Sequence, residues 1–151
     1  MTKNATYLPR GQRVLNTIFT RMVLMGMIPG AHLIRVLGRK SGIMHTTPVF
    51  VLKHEGHRWL VSGFGPSDWV KNLRVAGWCL LIHDRREERI TVVEINDPKT
   101  RAPILQAFAR HSPVGERGFS IKRNAPLEEF VAIAPDHPVF RIEEDNKEVS
   151  E

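Results

Sequence analysis

The sequence predicts a mainly β chain with inserted helices, an α+β arrangement of five or six mostly antiparallel strands in a closed or split barrel. Three observations predict it. Short runs with alternating or continuous apolar character recur at 31–37, 44–53, 58–63, 78–84, 89–96 and 137–143. The turns joining the first three runs, and the fourth to the fifth, are too short for the crossover that a parallel pair requires. A helical pattern stands between the third and fourth runs and two more before the sixth, which is not the strict alternation of a parallel α/β sheet.

Composition sets the outer limits. At 151 residues, 42% hydrophobic and 25% charged, the chain reads as one soluble globular domain over 1–151 with enough apolar mass for a core. Its single cysteine, Cys79, allows no intrachain disulfide, and inside the apolar run 78–82 it reads as a buried, inert thiol and not a nucleophile. The formal charge is +6 and the isoelectric point about 10.0, so an anionic partner is expected. Between Arg35 and Arg74 seven cations face two anions, which concentrates the excess around one glycine-rich turn and away from either terminus. The longest uncharged stretch, 22–34, is 13 residues and is broken by Gly26, Pro29 and Gly30, so it is too short to span a bilayer. With no signal-peptide pattern, cytoplasmic residence is the expectation.

In chain order, residues 1–9 form a loose lead-in. Apolar residues at helical spacing over 10–28, interleaved with Arg10, Arg13 and Arg21, predict an amphipathic basic helix stopped by Pro29-Gly30. It either packs on the core or makes peripheral contact with anionic lipid. The strand 31–37, the turn Gly38–Gly42, a strand from Met44 and the turn His54-Glu-Gly-His57 lead to a third strand, 58–63. His54 and His57 lack a third ligand nearby, so no metal site is assigned. Ser62–Ser67 is a glycine-rich linker; Ser67 is placed as N-cap, Asp68 complements the helix dipole, and the helix 69–76 ends at Gly77. Trp69, Asn72, Leu73 and Ala76 share a face of that helix. They form either a ligand wall or a core in which Asn72 ties down a neighbouring loop.

The strands 78–84 and 89–96 are joined by the charged turn Arg85-Arg-Glu-Glu88. Asp97-Pro98 opens a helical region reaching His111, with its regular part expected from Pro103 onward. Residues 112–125 form a long irregular loop, 126–134 a short helix, 137–143 the last strand, and 144–151 a disordered acidic tail. No internal repeat is present.

The chemistry centres on Gly38-Arg-Lys-Ser-Gly-Ile-Met-His-Thr-Thr-Pro48. Two glycines bracket Arg39, Lys40 and Ser41, so backbone N–H groups, a guanidinium, an ammonium and a hydroxyl can all donate to a phosphate or carboxylate. The competing reading is an ordinary solvated hairpin turn. A P-loop is excluded, because its spacing is absent and a strand follows where a helix is needed.

On Gly38–Gly42 with Thr46-Thr-Pro48, on Asp68-Trp-Val-Lys-Asn-Leu-Arg74 and on His137-Pro-Val-Phe-Arg141, the sequence resembles the deazaflavin-dependent nitroreductase family. Its members are split β-barrels of the FMN-binding-like type that bind coenzyme F-420, and the resemblance spans roughly residues 12–142. It implies that Arg39, Lys40 and Ser41 hold the cofactor's phosphate and acidic tail, with His45 where many relatives carry arginine or lysine. It implies further that Thr47, Pro48 and Phe50 line the deazaflavin ring, that Ser62, Gly63, Phe64 and Gly65 approach it by backbone, and that the helix bearing Trp69 and Asn72 closes the cleft.

The implied reaction is hydride transfer from the reduced deazaflavin to a small-molecule acceptor, a quinone, an activated alkene or a nitro-type compound. Water, Ser62 or a loop residue supplies the product's proton. The only tyrosine is Tyr7, so Phe50, Phe64 and Phe119 are expected to make the substrate wall apolar. Alternatives are an FMN-dependent split-barrel oxidoreductase and a non-catalytic deazaflavin-binding protein. A nucleic-acid module is disfavoured, since the three tryptophans read as half-buried and not as exposed stacking platforms. Nothing in the pattern sets an oligomeric state.

Overall fold

Strands β1 (Ala31–Leu37), β2 (Met44–His54), β3 (His57–Val61), β4 (Trp78–His83), β5 (Arg86–Ile95) and β6 (Val139–Glu144) close into a barrel in the order β1-β2-β3-β6-β5-β4, every pair antiparallel. This computed structural model describes residues 30–112 and 115–144. The expected lead-in and amphipathic helix over 1–28 lie outside the described residues, as does the tail beyond Glu144. Glu144 itself belongs to β6, where it pairs with Ile90.

Three helices complete the described residues: α1 (Asp68–Ala76), α2 (Pro98–His111) and α3 (Leu127–Ile133), with a short 3-10 turn at Ala134–Asp136. Alternation along the strands sorts side chains to two sides of the barrel wall. Ile34, Val36, Val51, Leu60, Leu81 and Phe140 meet inside, joined by Val70 and Leu73 of α1, so this helix plugs one mouth. Leu52, Trp59, Val61 and Val139 face outward into a second cluster with Leu105 and Phe108 of α2 and Phe130 of α3.

Two elements differ from expectation. The β4–β5 connection is a two-residue turn, because Asp84 and Arg85 both take left-handed backbone, φ 52° and 63°. That geometry matches the twist of the flanking strands, so Arg86, Glu87 and Glu88 extend β5 instead of forming the turn. Helix α2 begins at Pro98 and not at Pro103. Asp97 caps it by accepting from Thr100 N at 3.0 Å and Thr100 Oγ1 at 2.7 Å. Buried Arg101, donating to the carbonyls of Ile95 and Ala134, fixes the first turns to the barrel, and this tertiary anchoring outweighs the hydrogen bond that Pro103 removes.

Strand β5 also redistributes the basic excess. Glu87, Glu88 and Glu94 pair with Arg35 (3.3 Å), Arg58 (2.7 Å) and Arg74 (2.7 Å), so three of the seven cations counted between 35 and 74 are matched across the sheet.

Candidate functional site

The Gly38–Gly42 bend turns on two backbone bonds, Gly38 N–H to the Ile43 carbonyl at 2.8 Å and Gly42 N–H to the Gly38 carbonyl at 3.0 Å, with Gly42 at φ 75°. The Ser41 and His45 side chains close over Gly38: a Cβ there would stand 2.7 Å from Ser41 Oγ and 2.8 Å from His45 Nε2, so both would have to shift. The Ser41 hydroxyl accepts from Ile43 N–H at 3.1 Å and lies 3.4 Å from His45 Nε2. Lys40 is exposed.

Arg39 is turned toward α1. Asn72 Oδ1 accepts its backbone N–H at 3.0 Å and its Nη1–H at 2.8 Å, while Nη2 lies 3.5 Å from Asp68. Buried Asn72 therefore ties the bend to the helix that plugs the barrel, the second of the two readings open for it. The same contact holds Arg39 at the cavity edge. Along α1, Val70 is buried beside Asn72 and Leu73, whereas Trp69 is half-buried with its ring 6.3 Å from Phe140.

These residues border a cavity of about 810 Å³ lined by Arg39, Lys40, Ser41, His45, Trp69 and Asn72. Thr47 and Trp69 also line a second cavity of about 360 Å³, bounded by Pro48, Phe50, Ser62, Gly63, Phe64 and Phe108. The two halves adjoin at these residues as one groove, carrying Arg39, Lys40 and the Asp68 carboxylate at the bend and apolar along β2.

Twelve of the thirteen expected site residues border it. Gly65 does not: at φ 90° it is buried beside the Asp136 carbonyl, and its own carbonyl accepts the Ser62 hydroxyl. The Ser62 proton is therefore engaged by backbone. His137 holds the same loop, with Nδ1 3.1 Å from the Ser62 carbonyl.

The aromatic wall is corrected at one place. Phe119 is buried, with Phe108, Phe130 and His137 around its ring, and does not line the groove. Phe108 takes that position from α2. Its apolar helical spacing marks it as a buried residue, but sequence alone does not say that α2 packs beside β2. Gly118 brings the distal loop against the groove, since a Cβ there would collide with the Gly63 carbonyl oxygen.

Ser67 supplies a second departure. It occupies the N-cap position in extended conformation, φ −101° and ψ 180°, yet its side chain caps nothing. Its hydroxyl is buried without a hydrogen-bond partner, on the lining of the apolar half. A buried hydroxyl of this kind is free to pair with a water or with a polar ligand atom. Cys79 is fully buried among barrel side chains, and burial pushes its thiol up to about 12, so it offers no thiolate.

The groove fits an elongated ligand with a flat ring and an anionic tail. Cations and hydroxyls stand at one end, aromatic walls at the other, and the unpartnered Ser67 hydroxyl lines the apolar end.

Comparison with known proteins adds lineage. The family described as F420H(2)-dependent quinone reductase matches residues 12–125. Among solved structures, a chain described as a domain-swapped dimer has a TM-score of 0.54 at 16% identity, covering 88% of this chain and 96% of that one. A second, an F420-H2 dependent reductase, has a TM-score of 0.51 at 17% identity, with 76% and 95% covered. A third, from Clostridium acetobutylicum, is related to general stress protein 26 of B. subtilis in the pyridoxinephosphate oxidase family, and has a TM-score of 0.50 at 12% identity, with 89% and 84% covered. At these identities the likeness shows the split-barrel fold. No curated protein matches the chain.

Proposed function

Because the chain belongs to the F420H(2)-dependent quinone reductase family, we propose that its groove seats reduced coenzyme F-420 and that the physiological acceptor is a quinone. The observation carrying this reading is the joining of a cationic cavity and an apolar one at Thr47 and Trp69. In it, Lys40, Arg39 and the Ser41 hydroxyl hold the phosphodiester and glutamyl tail, where charge-assisted hydrogen bonds are strongest. Pro48, Phe50 and Phe108 hold the ring edge, and the Ser67 hydroxyl pairs with a ring heteroatom.

When bound, the reduced deazaflavin supplies a hydride; the quinone takes that hydride and one proton and leaves as hydroquinone. The protein's share is positioning and exclusion of water. Since the Ser62 hydroxyl donates to Gly65, it is not the proton donor, and the proton comes from a water admitted with the acceptor or from a loop residue. The apolar half is walled largely by aromatic and aliphatic side chains, which suits the face of a flat quinone ring.

Titration of the protein with coenzyme F-420, FMN and FAD, followed by cofactor fluorescence, tests the cofactor. Tight binding of the deazaflavin with weak binding of both flavins is expected, and preference for FMN would reverse the assignment. Oxidation of the reduced deazaflavin by menadione then separates a reductase from a non-catalytic binder. Among the described residues no helix is long and apolar enough to cross a membrane.

A further inference from the structure

A third cavity, of about 450 Å³, adjoins the apolar half of the groove, since Phe50 and Phe108 line both. It opens at the barrel end away from the Gly38–Gly42 bend, where β1 begins and β4 finishes. Its described lining carries Lys53, Arg58, His32, His83 and His111 and no carboxylate. Apolar atoms of Phe50, Val51 and Leu52 complete the wall.

The two imidazoles at its rim are arranged alike. Their rings stack at 4.6 Å and 22°, and each directs Nδ1 to a backbone carbonyl, His32 to Gly30 at 3.1 Å and His83 to Ala31 at 2.8 Å. Nδ1 is therefore the donor in both, which leaves each Nε2 for something else.

We propose that this cavity receives an anionic group carried by the electron acceptor, so that the preferred acceptors are flat quinonoid rings bearing a carboxylate-class substituent. The proposal rests on the deazaflavin site described above. The ring lies beside Phe50 and Phe108 and the acidic group reaches past them to Lys53 and the imidazole stack. Arg58 contributes less, because Glu88 engages it at 3.0 and 2.7 Å.

Binding couples to protonation. Burial, and the neighbouring His83 and Arg58, hold His32 below the ordinary imidazole range, with the Gly30 carbonyl and Glu88 acting the other way. Lys53 and His111 face the same space from β2 and α2. An anion entering beside His32 favours its imidazolium, so the anion's affinity rises as pH falls.

The test compares naphthoquinone sulfonate with uncharged menadione on the deazaflavin-loaded enzyme. The expected KM for the sulfonate is about tenfold or more below that for menadione. In Lys53→Met that advantage shrinks to within a few-fold, and in Lys53→Arg it is retained. Equal KM values, or an advantage untouched by Lys53→Met, overturn the proposal. Lys53 is exposed, so its replacement does not threaten folding. Naphthalene sulfonate, which cannot be reduced, is titrated separately onto the cofactor-free protein while the ring-proton signals of His32 and His83 are followed by NMR. Saturable movement of both, growing as pH is lowered, supports the site, and unmoved signals overturn it. Movement in a protein that never oxidises reduced deazaflavin overturns the link to the acceptor and the proposed function with it.

Discussion

Asn72 Oδ1 accepts from two groups of one residue, the backbone and the guanidinium of Arg39, so a single amide sets both the path of the bend and the direction of its charge. In Asn72→Ala the Arg39 N–H loses its acceptor, a loss expected to cost about 1–3 kcal/mol of stability in denaturant unfolding. Deazaflavin affinity should fall with it. Exposed Lys40 separates the two effects: Lys40→Ala should leave stability within about 0.5 kcal/mol while weakening binding and flattening its salt dependence. Unchanged affinity in Lys40→Ala would place the anionic tail elsewhere. Ser67→Ala makes the opposite demand. Removing a buried hydroxyl that has no partner should not lower the melting temperature, yet it should weaken deazaflavin binding roughly threefold to tenfold, the worth of one net hydrogen bond. A variant that binds as tightly as the parent would show that the hydroxyl does not meet the ring.

At the scale of elements, what the sequence discloses is local chemistry, and what it hides is packing. The glycine spacing of 38–42 and the residues on either side predict β1, the bend and β2, because each is decided by its own backbone preferences. Gly77, at φ 78° with its N–H on the Leu73 carbonyl, ends α1 where a C-cap glycine is expected. Phe108 and Phe119 could not be sorted, since both are apolar and only the docking of α2 against β2 decides which lines the groove. That α2 is already regular before Pro103 was hidden for the same reason: the Arg101 anchor includes the Ala134 carbonyl, which is far away in sequence. The Asp84-Arg85 turn hid because its second position holds arginine where a two-residue turn with left-handed backbone favours glycine. It therefore stores strain. Arg85→Gly relieves a left-handed cost of about 1–2 kcal/mol and incurs about 0.5–1 kcal/mol of extra chain entropy, so a small net gain in melting temperature is expected. A fall would mean that the Arg85 side chain makes a contact worth more than the strain.

For the whole molecule, charge decides how the barrel responds to acid. The acidic residues of β5 neutralise arginines from β1, β3 and α1, so these pairs tie the sheet together laterally while the bend keeps exposed Lys40 for a ligand. Two groups set separate pH windows. His32 is held below its ordinary 6.5, first by burial and then by His83 and Arg58, while Gly30 and Glu88 oppose. An unfolded chain thus takes up that proton before the folded one does. The stability it contributes is complete above about 6.5 and is lost as pH falls through the lower folded value. Asp97 is held below its ordinary 3.8, chiefly by the Thr100 hydroxyl, so its contribution survives to more acid conditions and is lost only beneath that range. Melting temperature measured across about pH 7.5 to 3 should therefore decline in two stages. His32→Asn should flatten the upper stage, and Asp97→Asn should lessen the decline below about pH 3.8. If the upper decline persists in His32→Asn, the barrel mouth holding the stacked imidazoles is not what acid first opens.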